Sequence, residues 1–225
     1  MEKRNFNRRY PKEYGFGMSL FYTLFVLCVV IPVSKLMYNL KITGHENIEH
    51  HKKYLFTGNH VSFLDPPFVT VAAQHRVAYM AKHELFEDKN PLLRYLVKHL
   101  GAFAVNREKP EIATFKTVLD ILKTPWRLGI FPQGKIENDN TITTIQKGFV
   151  GIAKKAKVDI VPIGICGFDG YAHKLFEKHI TLKIGKPISY ELDEEEIVKQ
   201  WLTQICELTG FENKTGIELS EGVKI

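Results

Sequence analysis

Residues 54–74, YLFTGNHVSFLDPPFVTVAAQ, read in one pass as strand, loop and helix. Tyr54–Thr57 is a short apolar run of strand length, and Pro66–Gln74 has helical character. Pro66 suits a first helical position, which makes Asp65 the predicted N-cap. The loop between them carries His60 five residues before Asp65. That spacing lets the carboxylate curl back onto one imidazole nitrogen, fix its tautomer and stabilise the imidazolium formed on proton uptake. A histidine so held is a general base near neutral pH.

Downstream, the alternation continues. Val77–Ala81, Ala102–Val105, Leu128–Phe131, Ile160–Ile165 and Ile180–Ile184 read as strands. Pro91–His99, Glu111–Lys123 and Ile145–Lys155 read as helices, the second presenting Ile112, Phe115, Leu119 and Leu122 on one face. Asp193 opens a final helix with Glu196 completing a capping box, and Gly210 ends it. Strands alternating with helices predict an α/β domain, a single mixed, mostly parallel sheet flanked by helices. Sites in such folds collect at strand ends.

Upstream, Gly15–Ser34 (GFGMSLFYTLFVLCVVIPVS) contains no charged residue. As a helix it is about 30 Å long, one hydrocarbon core. A spanning helix, a shallow helix and a re-entrant hairpin interrupted at Pro32 and Gly15/Gly17 all fit; a cleaved signal peptide lacks a convincing small-residue site. Residues 1–41 hold seven cations against two acids, so five of the six net positive charges lie beside this apolar run. Cations so placed suit anionic lipid, whereas a nucleic-acid binder spreads them over its folded face. The chain thus divides into a basic, apolar membrane-associated segment (1–40), a catalytic domain (41–212) and a polar tail (213–225). Three cysteines without a Cys-x-x-Cys pair argue against a disulfide framework, and no Cys/His cluster has zinc spacing.

His-x4-Asp alone is weak, because His83 and Asp88 share the spacing. The neighbours favour His60: Asn59 precedes it, Ser62 follows as a loop hydrogen-bonder, and the Asp-Pro helix start lies behind it. Three later stretches add polar groups at strand ends. GAFAVNR (101–107) brings out Arg107, a guanidinium suited to phosphate or, equally on position alone, paired with Glu108 or Glu111. GIFPQGK (129–135) nearly matches a P-loop, but Ile136 lacks the hydroxyl for magnesium and 137–141 is a polar loop; it reads as strand and turn, Gly134 allowing close backbone approach and Lys135 offering charge. VPI (161–163) places Pro162 inside an apolar strand, which predicts an edge or a bulge.

In this order the four segments resemble the glycerolipid acyltransferase family that makes phosphatidate from lysophosphatidate. Asn-His-x4-Asp matches Asn59–Asp65; Gly-x-x-Phe-x-x-Arg resembles Gly101–Arg107; Phe-Pro-Glu-Gly-Thr-Arg is read here as Phe131–Ile136; a Val-Pro-Ile-like strand matches 161–163. The resemblance covers about Lys41 to Gly185. It implies direct transfer without a covalent acyl-enzyme and without a cofactor or metal. His60, oriented by Asp65, takes the proton of an acceptor hydroxyl, which attacks the thioester of acyl-CoA or acyl carrier protein. Asn59, Arg107, Gln133, Gly134, Lys135 and Pro162 are then the expected substrate-binding residues. Membrane lipid, the acyl donor and a lysolipid acceptor are the partners, with no nucleic acid, and the site faces the cytoplasm. The third block departs from the pattern: Gln133 stands for Glu, Lys135 for Thr and Ile136 for Arg, which leaves a different lysolipid or a neutral lipid alcohol as alternative acceptors. A non-catalytic lipid binder and a thioesterase are the competing functions.

Overall fold

The structure is a computed structural model, and it describes residues 8–105, 112–137, 139–167 and 179–220. Nine strands are described: β1 Lys41–Thr43, β2 Tyr54–Gly58, β3 Val77–Lys82, β4 Phe103–Val105, β5 Arg127–Ile130, β6 Thr141–Ile142, β7 Asp159–Cys166, β8 Thr181–Ile184 and β9 Glu212–Asn213. The helices are α1 Phe16–Phe25, α2 Ile31–Tyr38, α3 Asp65–Ala73, α4 Pro91–His99, α5 Ile112–Leu122, α6 Gly148–Ala156 and α7 Glu194–Thr209. Seven strands form one sheet in the order β1-β8-β7-β2-β5-β3-β4. From β7 to β4 every neighbouring pair is parallel, β8 runs antiparallel to β7, and β1 is parallel to β8. This is the mixed, mostly parallel sheet expected from the sequence. A second, two-stranded sheet pairs β6 with β9, across the expected start of the polar tail.

Why these strands lie at the centre is visible in their composition. All five residues of β2 are buried, as are six of the eight in β7, so both faces of the sheet are covered. Each fully buried Leu, Ile or Phe contributes about 1.5–3 kcal/mol. α7 lies on β7, and the buried Trp201 donates its indole N–H to Thr57 Oγ1 of β2 at 2.8 Å. That bond satisfies two polar atoms that the core would otherwise strand.

Several local expectations change. Asp65 is the first residue of α3, not its cap; its side chain turns back into the preceding loop. Asp193 is the N-cap of α7 but makes no side-chain capping bond, and Glu196 bonds Gln200 instead. In α5 the buried residues are Thr114, Thr117, Val118, Asp120 and Ile121, while Ile112 is 75% exposed. The reason is tertiary: Thr117 Oγ1 accepts from Arg9 N–H, and Asp120 pairs with Arg8, so the N-terminal segment covers the polar side of this helix. Pro162 is not on an edge, since β7 lies between β2 and β8. Nor does β7 bulge there, since its register with β2 is unbroken from Tyr54↔Asp159 to Gly58↔Ile163. Pro162 lies just past Ile163↔Ile184, the last pair of β7 with β8, and before the isolated Ile160↔Ile188 bridge, in a gap of the ladder where the missing N–H is needed least.

Phe16–Tyr38 forms one continuous helical rod of 23 residues, long and apolar enough to cross a membrane by length and composition. Pro32 does not break it. A π turn at Val26–Val30 widens the coil just before the proline, where an ordinary turn would press its ring on the carbonyl of Cys28. The rod is docked along one side. Tyr22, Val30, Ser34 and Tyr38 are buried, Tyr22 Oη bonds Thr70 Oγ1 at 2.8 Å and receives Val77 N–H at 3.1 Å, and Tyr38 packs edge-on against Phe68. The opposite flank, with Phe16, Leu20, Leu24, Leu27 and Leu36, is exposed.

Candidate active site

β2, β5 and β7 are neighbours and parallel, so their carboxyl ends open on one edge of the sheet. The loop after β2 carries Asn59, His60 and the turn to Asp65. Asn59 is fully buried and spans to β7: Nδ2 donates to Ile165 O at 2.9 Å, and Oδ1 accepts from Ile165 N–H at 2.7 Å. Both ends of its amide are engaged by the backbone, so it sets the exit direction of the loop. Pro162 belongs to the same strand, buried in the sheet with its ring beside Gly185.

His60 Nδ1 lies 2.7 Å from Asp65 Oδ2. The same oxygen accepts from the N–H groups of Val61 at 2.7 Å and Ser62 at 2.8 Å, while Asp65 Oδ1 is buried without a partner among the described residues. Three donors on one oxygen define an acceptor. Nδ1 therefore carries a proton, and Nε2 is the ring nitrogen that Asp65 does not engage. Burial raises the Asp65 carboxyl above its ordinary range, against the opposing pull of His60 and the two amides. Ser62 Oγ accepts from Leu64 N–H at 3.2 Å, the loop bond expected of it. His83, the rival with the same spacing, points elsewhere: its nearest carboxylate is Glu87, at 4.0 Å.

The imidazole plane is fixed by stacking. Phe131, first after β5, lies on the His60 ring at 4.5 Å and 20°, and Tyr79 of β3 lies on Phe131 at 5.9 Å and 14°. This three-ring stack depends on Gly129. A Cβ there would stand 2.4 Å from the Tyr79 ring, so only glycine lets β5 pass beneath it.

The loop after β5 closes the site from behind. Gly134, at φ +72°, turns the chain and donates its N–H to Phe131 O at 3.0 Å. Gln133 is buried, and its Oε1 accepts from His60 N–H at 2.7 Å. Its Nε2 donates to Glu137. Glu137 is itself buried, donates its N–H to the His60 carbonyl at 2.8 Å, and takes bonds from Thr143 N–H at 3.2 Å and Thr143 Oγ1. Lys135 Nζ sits 2.9 Å from Glu137 Oε1, with its side chain half exposed. Burial pulls the Glu137 carboxyl up, but the bonds from Thr143, Lys135 and Gln133 outweigh it and leave the group below its ordinary value. Nothing in the sequence singles out Glu137, one acid in a polar run, and Phe131 and Tyr79 read there only as strand residues. Arg107 lies outside the described residues.

A histidine whose Nδ1 is tied to a buried carboxylate, set at the carboxyl ends of the strands, places this chain in a class: an α/β protein with a candidate site at one edge of its sheet. The comparisons with known proteins make it particular. The family model described as Acyltransferase matches residues 39–166, more than half of the chain. The 1-acyl-sn-glycerol-3-phosphate acyltransferase of Bacillus subtilis (strain 168) is 30% identical over 151 residues, 66% of this chain and 73% of the relative. The protein of the same name from Streptococcus pneumoniae is 27% identical over 175 residues, 76% of this chain and 64% of the relative. The crystal structure of the 1-acyl-sn-glycerophosphate (LPA) acyltransferase, PlsC, from Thermotoga maritima superposes with a TM-score of 0.63 at 20% identity, over 88% of this chain and 97% of that one, a likeness of fold. The chain belongs to the acyltransferase family.

Proposed function

We propose that this protein transfers a fatty acyl group from acyl-CoA or acyl carrier protein to the free hydroxyl of lysophosphatidate or a related lysolipid. The observation that carries the reading is the contact of His60 Nδ1 with Asp65 Oδ2, whose oxygen is pinned by two backbone amides. The names of the relatives from Bacillus subtilis and Streptococcus pneumoniae supply the substrate class.

In this reading His60 Nε2 takes the proton of the acceptor hydroxyl as its oxygen bonds to the thioester carbonyl carbon. The resulting imidazolium is balanced by the Asp65 carboxylate. Collapse of the tetrahedral adduct breaks the carbon–sulfur bond, and His60 returns its proton to the departing thiolate. Arg107 and Lys135 meet the acceptor phosphate, and Gly134 brings the backbone close to it. Exposed Phe63, in the loop between His60 and Asp65, joins the bare flank of the N-terminal rod as surface for lipid. The rod is docked along its length by buried side chains, which favours a shallow seat in the bilayer face over a helix projecting through it.

The test is thiol release from acyl-CoA by detergent-purified protein, across lysophosphatidate, other lysolipids and neutral lipid alcohols. Acceptor-dependent release that vanishes in His60→Ala, with an unchanged circular dichroism spectrum, is the expected result. Release in His60→Ala equal to wild type removes the base, and release without acceptor turns the reading into a thioesterase.

A further inference from the structure

Residues 133 and 137 grip His60 from both sides. Gln133 Oε1 holds its N–H, and the Glu137 N–H holds its carbonyl. The first of these bonds depends on which way the Gln133 amide faces. Turned over, its NH2 would meet the His60 N–H, donor against donor. A buried side chain cannot relieve that clash with water. The Glu137 carboxylate decides the orientation, because it accepts only and it takes Gln133 Nε2–H. Glu137 is in turn held by Thr143 and Lys135. Its loop is anchored by the pairing of β6 with β9 and by Gln146 N–H to Pro132 O at 2.7 Å.

We propose that Glu137 is a positioning residue for acyl transfer: its carboxylate orients the Gln133 amide, which fixes the peptide of His60 and so the direction of its imidazole. The pattern that Phe131–Ile136 resembles has Glu where this chain has Gln133. A carboxylate accepts at both oxygens and needs no partner to orient it; an amide does. The acidic group that the pattern has at position 133 is matched in this chain by Glu137, four residues further on.

A reciprocal exchange tests this. In the double variant Gln133→Glu/Glu137→Gln the chain of hydrogen bonds from His60 through position 133 to position 137 has a donor and an acceptor at each link again. The carboxylate now at position 133 accepts from His60 N–H and from the amide now at position 137, whose carbonyl takes the Thr143 hydroxyl and Lys135; only the long bond from Thr143 N–H, which shares Glu137 Oε2 with Gln133, loses its acceptor. Gln133→Glu alone sets two carboxylates face to face, and Glu137→Ala alone frees the amide to turn. Each single change lowers kcat by about 10- to 100-fold with the acceptor KM within about twofold, and the double variant returns to within about threefold of wild type. The double variant is read whether or not the single variants fold. Wild-type kcat in Glu137→Ala, or a double variant no better than the worse single, overturns the proposal. The inference rests on His60 as the base. Failure of that reading shows separately, as thiol release persisting in His60→Ala, whereas loss in His60→Ala beside full activity in Glu137→Ala sinks only the positioning role.

Discussion

Asp65→Asn separates the charge of the pair from its shape. Asn is isosteric, and with its oxygen at the Oδ2 position it still accepts from His60 Nδ1–H and from the amides of Val61 and Ser62. What disappears is the negative charge opposite the imidazolium. With a nitrogen–oxygen distance of 2.7 Å, the charge centres stand about 4 Å apart; at an effective dielectric near 20 their attraction is about 4 kcal/mol, or roughly a thousandfold in rate. Some of this is recovered by rearranged dipoles, so kcat should fall by about 10²- to 10³-fold, with KM little changed. Stability should move the other way. Burial lifts the Asp65 carboxyl above its ordinary value. A carboxyl raised on folding favours the native state while it is neutral, below the unfolded pKa, and that advantage is lost as pH climbs through the folded value. At neutral pH the buried charge is thus a cost; the neutral Asn removes it, and the gain is reduced by its NH2, which takes the buried Oδ1 position where no acceptor is described. The assay pairs thiol release with thermal melting at pH 7.5, using His60→Ala as the floor. A variant within tenfold of wild-type kcat refutes the electrostatic role. A loss of activity that follows a lower melting temperature refutes the separation of charge from structure.

Gly129→Ala forces a methyl into the Tyr79 ring and tilts the stack that carries His60; a stability loss of about 1–3 kcal/mol by urea titration, with reduced kcat, is expected, and neither change would mean that the stack does not orient the base. Tyr22→Phe leaves the Val77 N–H without its acceptor and frees Thr70 of a partner, so the melting temperature should drop by the equivalent of about 1–3 kcal/mol; hydrogen exchange at the start of β3 reports the same break directly. His75 is pushed down to about 4 by burial, then by Arg127, His50, Lys53 and Arg76. It folds as the neutral imidazole, so its contribution is complete above the unfolded pKa and is lost as pH falls from about 6.5 toward 4. After allowance for its partly exposed position, about 1–2 kcal/mol of acid lability belongs to it, and wild type should lose more than His75→Gln between pH 7 and pH 5 in urea titrations.

The sheet is legible in the sequence because its central strands are apolar runs bounded by turns, and the helices between them have a clear period. β1, β6 and β9, at two or three residues, are too short to show a period at all. The buried face of α5 escapes the sequence for a different reason. Its Thr117 and Asp120 are matched by Arg9 and Arg8, more than a hundred residues upstream. A polar side chain with a distant partner is indistinguishable, in the sequence, from one facing water. The same rule divides the site. His60 and Asp65 are local, and the loop between them has few ways to close. Gln133 and Glu137 reach His60 only because β2 and β5 are adjacent in the sheet, which no spacing reveals.

The altered third block shows why substitution and loss are different things. Counted by position, Gln133 lacks the charge of Glu, and Ile136 lacks the charge of Arg. Counted by group, the block keeps one carboxylate and one cation: Glu137 and Lys135, 2.9 Å apart. The pair is neutral together, as Glu and Arg in the family pattern are, but its members are exchanged in order along the turn. The carboxylate is buried and committed to Gln133 and Thr143, so it serves the base. The ammonium is half exposed and has further N–H groups to offer, so it alone of the two can face a substrate. An ammonium is a point charge and does not impose the fork geometry of a guanidinium. Under the proposed function, therefore, planar bidentate contact with a phosphate-bearing acceptor is assigned to Arg107, and Lys135 is assigned the weaker hold on any anionic head group.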